Sequence, residues 1–170
     1  FGEEMTVLCA SGEMGESLVK GLGFPHVECV YETGAETTSD DTKRAAQAMK
    51  DADLLLFAGG DGTARDIFAA LGDKAVAIGI PAGVKIHSPV YAIRPEAAGK
   101  LALKYLEGRC RHTYEAEVVD IDEAAYRDGR VSTSLYGYLT VPDERDYMQH
   151  GKAPSPVSEH AQQCAIADEM

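Results

Sequence analysis

One junction constrains this chain more than any other part of it. Leu54-Leu55-Leu56-Phe57-Ala58 is apolar at every position and then breaks at Gly59-Gly60-Asp61-Gly62. A run without polar alternation fits a central parallel strand covered on both faces. Beyond the break, Ala64, Ile67, Phe68 and Leu71 fall at i, i+3, i+4 and i+7, the stripe of a helix packed on a sheet, and Gly72 ends it. A glycine-rich turn of this kind lies outside the carboxyl end of a parallel sheet, where α/β proteins bind ligands.

The same grammar runs along the first two thirds of the chain. Strands are expected at Met5-Thr6-Val7-Leu8-Cys9-Ala10, at residues 27–31 and at residues 75–80. Helices are expected at about residues 15–20, from Thr42 after N-cap oxygens in Ser39-Asp40-Asp41, and from Pro95 with Ala98, Leu101, Ala102 and Tyr105 facing inward. Strands alternating with helices imply right-handed βαβ units and an α/β parallel sheet with helices on both sides. From Tyr114 the pattern changes. Residues 115–121 and 131–141 resemble strands joined by the turn Arg127-Asp128-Gly129, with no long helix between them. This reading divides the chain into an α/β domain at 1–112 and the start of a β-rich second domain at 113–170. The second part holds a Pro-containing loop at 142–158 and a last helix at 157–170.

Charge narrows the partners. With 28 acidic and 16 basic residues, a net charge of −12, the chain lacks the footprint of a nucleic-acid or anionic-membrane binder. The acids crowd the second part, so the nearly balanced first part is where a phosphate ligand is expected. No run reaches the length of about 18 apolar residues that spans a bilayer. A soluble cytoplasmic protein is expected, with Cys9, Cys29, Cys110 and Cys164 as free thiols and a homo-oligomer as the assembly. The five histidines show no metal-ligand spacing, and no structural zinc is expected. The start Phe1-Gly2-Glu3-Glu4 reads as that of a trimmed chain.

Asp61 is the leading candidate for chemistry. Glycines permit close backbone approach, and the helix that follows presents unpaired N–H groups with partial positive charge. A carboxylate in such a turn opposes a bound phosphate unless it ligates Mg²⁺ or takes a proton from an attacking hydroxyl. The plainer alternative is that Asp61 only caps the helix. A second glycine turn, Pro81-Ala82-Gly83-Val84-Lys85-Ile86-His87-Ser88-Pro89, should lie beside the first. There Lys85 can hold a phosphate, and His87 and Ser88 can hydrogen-bond a ligand. Their plain alternatives are a solvated lysine, a local turn contact and a residue capping the chain before Pro89. Arg65 and Asp66 either face the ligand or pair on the surface. No GxSxG elbow and no GxxxxGK[ST] loop is present.

Gly59-Gly60-Asp61-Gly62-Thr63-Ala64-Arg65-Asp66-Ile67 resembles the GGDGT signature shared by NAD kinases and by lipid kinases of the diacylglycerol and sphingosine type. Gly79-Ile80-Pro81-Ala82-Gly83-Val84-Lys85 and Ala116-Glu117-Val118-Val119-Asp120-Ile121-Asp122 look more narrowly like the microbial ATP-NAD kinase-like group. The resemblance implies a nucleotide site in a cleft between a Rossmann-like half and a β-rich half. By that resemblance Gly59, Gly60, Gly62 and Thr63 form the cofactor-binding loop and Asp61 is catalytic.

The implied reaction is phosphoryl transfer from ATP or polyphosphate, with Mg²⁺, to the 2′-hydroxyl of NAD or another small nucleotide. Chains of the family would begin with a further strand and glycine-rich loop and continue past Met170. NAD kinases grip the nucleotide with an Asn-Glu or Asn-Asp pair, and this chain has no Asn. Two alternatives therefore stand beside the NAD kinase reading: a lipid or small-molecule kinase, and a non-catalytic nucleotide-binding module.

Overall fold

The computed structural model describes residues 5–83, 86–121 and 133–150. It is a mixed α/β structure built on parallel strand pairs. β1 (Val7–Ala10) pairs in parallel with β2 (Val27–Tyr31), and α1 (Glu16–Gly21) lies between them in sequence. After α2 (Ser39–Ala48), β3 (Leu55–Gly59) pairs in parallel with β4 (Ala77–Pro81) across α3 (Asp61–Leu71). α4 (Pro95–Leu106) leads into β5 (Thr113–Ile121) and β6 (Thr133–Pro142), an antiparallel pair. The turn expected at Arg127-Asp128-Gly129 and the helix at 157–170 lie outside the described residues, as does most of the Pro-containing loop.

The helices start where local chemistry satisfies their first N–H groups. The start of α2 differs from the expectation of caps in Ser39-Asp40-Asp41. The N-cap is Thr38, and Asp41 reaches back as the third helical residue to accept from the Thr38 N–H at 2.8 Å and from its hydroxyl at 2.9 Å. The other Asp41 oxygen accepts from the Tyr31 hydroxyl at 2.8 Å, tying the helix to the end of β2. Pro95 opens α4, where a missing N–H costs nothing, and Ala97, Ala98, Leu101 and Ala102 are its buried face.

The reading of β3 as covered on both faces is corrected. Leu55 and Phe57 are buried, whereas Leu56 between them is 46% exposed and Ala58 is also open. Among the described residues, hydrogen bonds join β3 to β4 only and β1–β2 forms a separate pair, so strand alternation delivers one face to the core. On the far side of β4 the chain at 90–92 continues the pairing: Gly79 N–H donates to Val90 O at 3.0 Å, and Ala92 N–H donates to Gly79 O at 2.9 Å.

The buried cluster joins Leu55, Phe57, Ile67 and Ile78 to Tyr91 and Leu101, and continues through Val118, Leu139, Val141 and Met148. It therefore crosses residues 109–113 without a break. Two glycines make this packing possible. A Cβ on Gly79 would stand 2.4 Å from the Tyr91 ring, and one on Gly137 would stand 2.1 Å from the Phe68 ring, so α3 seats its aromatic directly on β6. Among the described residues no helix is long and apolar enough to cross a membrane.

Gly137→Ala should force Phe68 off β6 and lower stability by about 1–3 kcal/mol, as overpacking does. Gly99→Ala, on the exposed side of α4 with nothing within 4 Å of the added Cβ, should instead raise stability by about 0.5–1 kcal/mol. Urea unfolding of both variants checks the contrast in sign.

Candidate functional site

The two glycine turns meet at the ends of β3 and β4. Gly59 pairs with Pro81 in the ladder, and the Ala82 N–H donates to the Gly59 carbonyl at 3.0 Å. A Cβ on Gly83 would lie 3.8 Å from the Gly60 Cα, so the turns touch backbone to backbone. Each glycine of the first turn has its own reason. A Cβ on Gly59 would collide with Thr63 Oγ1 at 2.2 Å, and its absence lets α3 rise directly from the strand end. No described atom lies within 4 Å of a Cβ placed on Gly60 or Gly62, so neither turn residue adds a side chain where a ligand would meet the backbone.

Asp61 is the first residue of α3 and 6% exposed. Its carboxylate does not cap that helix; the N-cap is Gly60, and it makes no side-chain cap bond. Instead it spans the gap between the turns. Oδ2 accepts from the His87 backbone N–H at 2.8 Å and contacts His87 Nδ1 at 3.0 Å, while Oδ1 accepts from the Ser88 N–H at 2.9 Å. Among the described residues no lysine or arginine shares this arrangement. Two backbone N–H donors and the positive end of the α3 dipole compensate the buried charge.

The neighbouring side chains divide between ligand-facing and supporting positions. His87 keeps 36% of its side chain exposed. Ser88 is fully buried, and its hydroxyl donates to Val119 O at 2.7 Å and accepts from Val119 N–H at 3.1 Å, so it pins the turn to β5. Arg65 and Asp66 are paired. Arg65 reaches Asp120 at 3.1 Å and covers the Tyr136 ring, and Asp66 lies 3.6 Å from Lys43. Arg65 is held further into its charged form by Tyr136 and Asp120. Lys85 lies outside the described residues.

Sequence reasoning missed Tyr91. It is fully buried, packs edge-to-face on Phe57 at 5.4 Å, and donates its hydroxyl to the Gly60 carbonyl from beneath the turn. Burial raises its pKa well above the ordinary tyrosine value, so the phenol stays a donor. The available signal was a tyrosine within the apolar stretch Val90-Tyr91-Ala92, two residues after Pro89.

A resident Mg²⁺ finds little in the described residues. Both Asp61 oxygens already accept N–H groups, and no group of three or more His, Cys, Asp or Glu side chains converges as a cage among those residues. They do not fit a protein-held metal, and a metal carried on donor phosphates belongs to the substrate.

Fold and site together define an α/β chain whose two glycine turns are bridged by a buried carboxylate at the strand ends. Residues 3–110 match the ATP-NAD kinase N-terminal domain, and the chain belongs to that family. Among solved structures, two described as diacylglycerol kinases from Bacillus anthracis str. Sterne are similar at 20% and 19% identity, with TM-scores of 0.43 and 0.39. Each similarity covers 69% of this chain but only 46% and 43% of theirs, so the chain spans less than half the length of those structures. No curated protein matches.

Asp61→Asn replaces one acceptor oxygen by an amide that opposes an N–H donor. It should lower stability by about 1.5–3 kcal/mol, the range for hydrogen bonds to a charged group. Calorimetric melting measures it. A loss below 0.5 kcal/mol, as an order-of-magnitude threshold, would show that the bridge does not hold the turns together.

Proposed function

We propose that this chain is the glycine-turn part of an NAD kinase-like phosphotransferase that moves a phosphoryl group from ATP or polyphosphate to the 2′-hydroxyl of NAD. The observation that carries the reading is the Asp61 bridge. It ties the start of α3 to the His87–Ser88 end of the second turn, and no described atom lies within 4 Å of a Cβ placed on Gly60 or Gly62.

In phosphoryl transfer the protein acts mainly by positioning and charge stabilisation. The open turn and the first N–H groups of α3 offer donors to phosphate oxygens without an intervening side chain. The Tyr91 hydroxyl holds the Gly60 carbonyl down, which keeps the peptide planes of the turn in one orientation. Asp61 ties the His87–Ser88 end of the second turn to the start of α3. Lys85, as a mobile cation on the second turn, fits a role on the donor phosphates.

A second reading has one observation in its favour. The absence of any Asn removes the family's nucleotide-gripping pair, which favours a phosphate-binding module without turnover. Formation of NADP by the whole protein, assayed with ATP and separately with polyphosphate in Mg²⁺, tests the first reading. Binding of the donor without product formation from NAD would favour the second.

Gly60→Val should separate binding from folding. The residue has φ −121°, which a β-branched side chain adopts, and no described atom lies within 4 Å of its Cβ position. Stability should change by no more than about 1 kcal/mol, the scale of an N-cap effect. Donor affinity measured by titration calorimetry should fall at least about tenfold, equivalent to 1.4 kcal/mol. Unchanged affinity would mean the turn is not the phosphate cradle.

A further inference from the structure

We infer that His87, with Asp61 behind it, is the group that takes the proton from the acceptor hydroxyl; the inference rests on the phosphotransferase reading. The geometry assigns different work to the two residues. Asp61 is 6% exposed, its Oδ2 and Oδ1 each accept a backbone N–H, and His87 Nδ1 lies 3.0 Å from Oδ2. An attacking hydroxyl has poor access to it. His87 contacts this carboxylate and keeps 36% of its own side chain exposed, against 5% for Asp61.

The contact also sets the tautomer. An ionised carboxylate only accepts hydrogen bonds, so the nitrogen 3.0 Å from Oδ2 must carry its proton. In the neutral ring, Nε2 is then the bare nitrogen, and no described residue occupies it. A buried carboxylate that orients an imidazole through Nδ1 and leaves Nε2 toward the reacting group is the arrangement used to make histidine a general base.

The acceptor hydroxyl gives its proton to His87 Nε2 as its oxygen bonds to the donor's terminal phosphorus. The bond from that phosphorus to the bridging oxygen breaks, and its electron pair leaves with the shortened donor. The resulting imidazolium donates through Nδ1 to the Asp61 carboxylate, whose charge stabilises it, and the exposed edge returns the proton to water. Asp61 is in this account a positioning residue. Its backbone bonds hold the turn, and its bond to Nδ1 holds the ring.

The test uses the whole protein with NAD and each donor. His87→Asn keeps a donor near the Nδ1 position but has no base at Nε2. It should lower kcat by about 10²–10⁴-fold, the usual worth of general base catalysis, with KM changed only a few-fold. His87→Ala should regain part of its rate when imidazole is added. Retention of kcat within five-fold by His87→Asn, taken as an order-of-magnitude bound well under that range, overturns the assignment. So does an His87→Ala rate that imidazole leaves unchanged.

A parent protein that phosphorylates neither NAD nor a lipid acceptor overturns the phosphotransferase reading itself. The dyad is checked without turnover by ¹⁵N NMR of the histidine rings. A proton on Nδ1 with Nε2 bare in the neutral ring supports it, and the reverse tautomer refutes it.

Discussion

A single buried carboxylate holds the candidate site together. Asp61 sits at the start of α3, and its two oxygens collect N–H groups from a turn 26 and 27 residues further along the chain. Without an acceptor there, the buried Ser88 N–H and its neighbour would lose their partner, at a cost comparable to that of any unpaired buried polar group. The turn after β4 is therefore fixed at its near end by the strand ladder and the Ala82–Gly59 bond, and at its His87–Ser88 end by charge-assisted bonds to Asp61. The ligand-facing side of the turns stays open because no bulky side chain is needed to join them.

Support reaches the bridge from beneath and from the side. Tyr91 props the Gly60 carbonyl, and its ring occupies the space that a side chain on Gly79 would fill. Ser88 is doubly bonded to Val119 of β5, which couples the second turn to the antiparallel pair. Phe68 on α3 rests on Gly137 of β6. The core that carries the glycine turns is thus continuous with β5 and β6, and strain at either glycine contact would propagate to the turns because packed interiors relax only partly.

Much of this was legible before any coordinates. The strand, glycine break and helical stripe located β3, the first turn and α3, and the repeat of that signal placed the second turn beside it. Family membership follows from the same segment, since residues 3–110 match the ATP-NAD kinase N-terminal domain. Thr38 escaped notice as a cap because Asp41 acts on it from three residues downstream. Tyr91 was hidden in an apolar stretch that looks the same whether its hydroxyl is idle or bonded. Leu56 was misjudged because an all-apolar strand does not reveal which of its faces a neighbouring sheet leaves uncovered.

What the sequence determined by itself is the local and periodic part: which segments become strands and helices, where glycine must interrupt them, and which chemistry-bearing residues end up in turns. Those properties depend on neighbours within a few positions. The tertiary structure alone decided the partners. Asp61 could have capped its own helix, ligated a metal or faced solvent, and all three are compatible with its place in Gly59-Gly60-Asp61-Gly62. The pairing of β3 with β4 brought the backbone of His87 and Ser88 within hydrogen-bonding distance, and a buried carboxylate takes the donors within its reach because leaving them unmade costs more than any surface alternative returns.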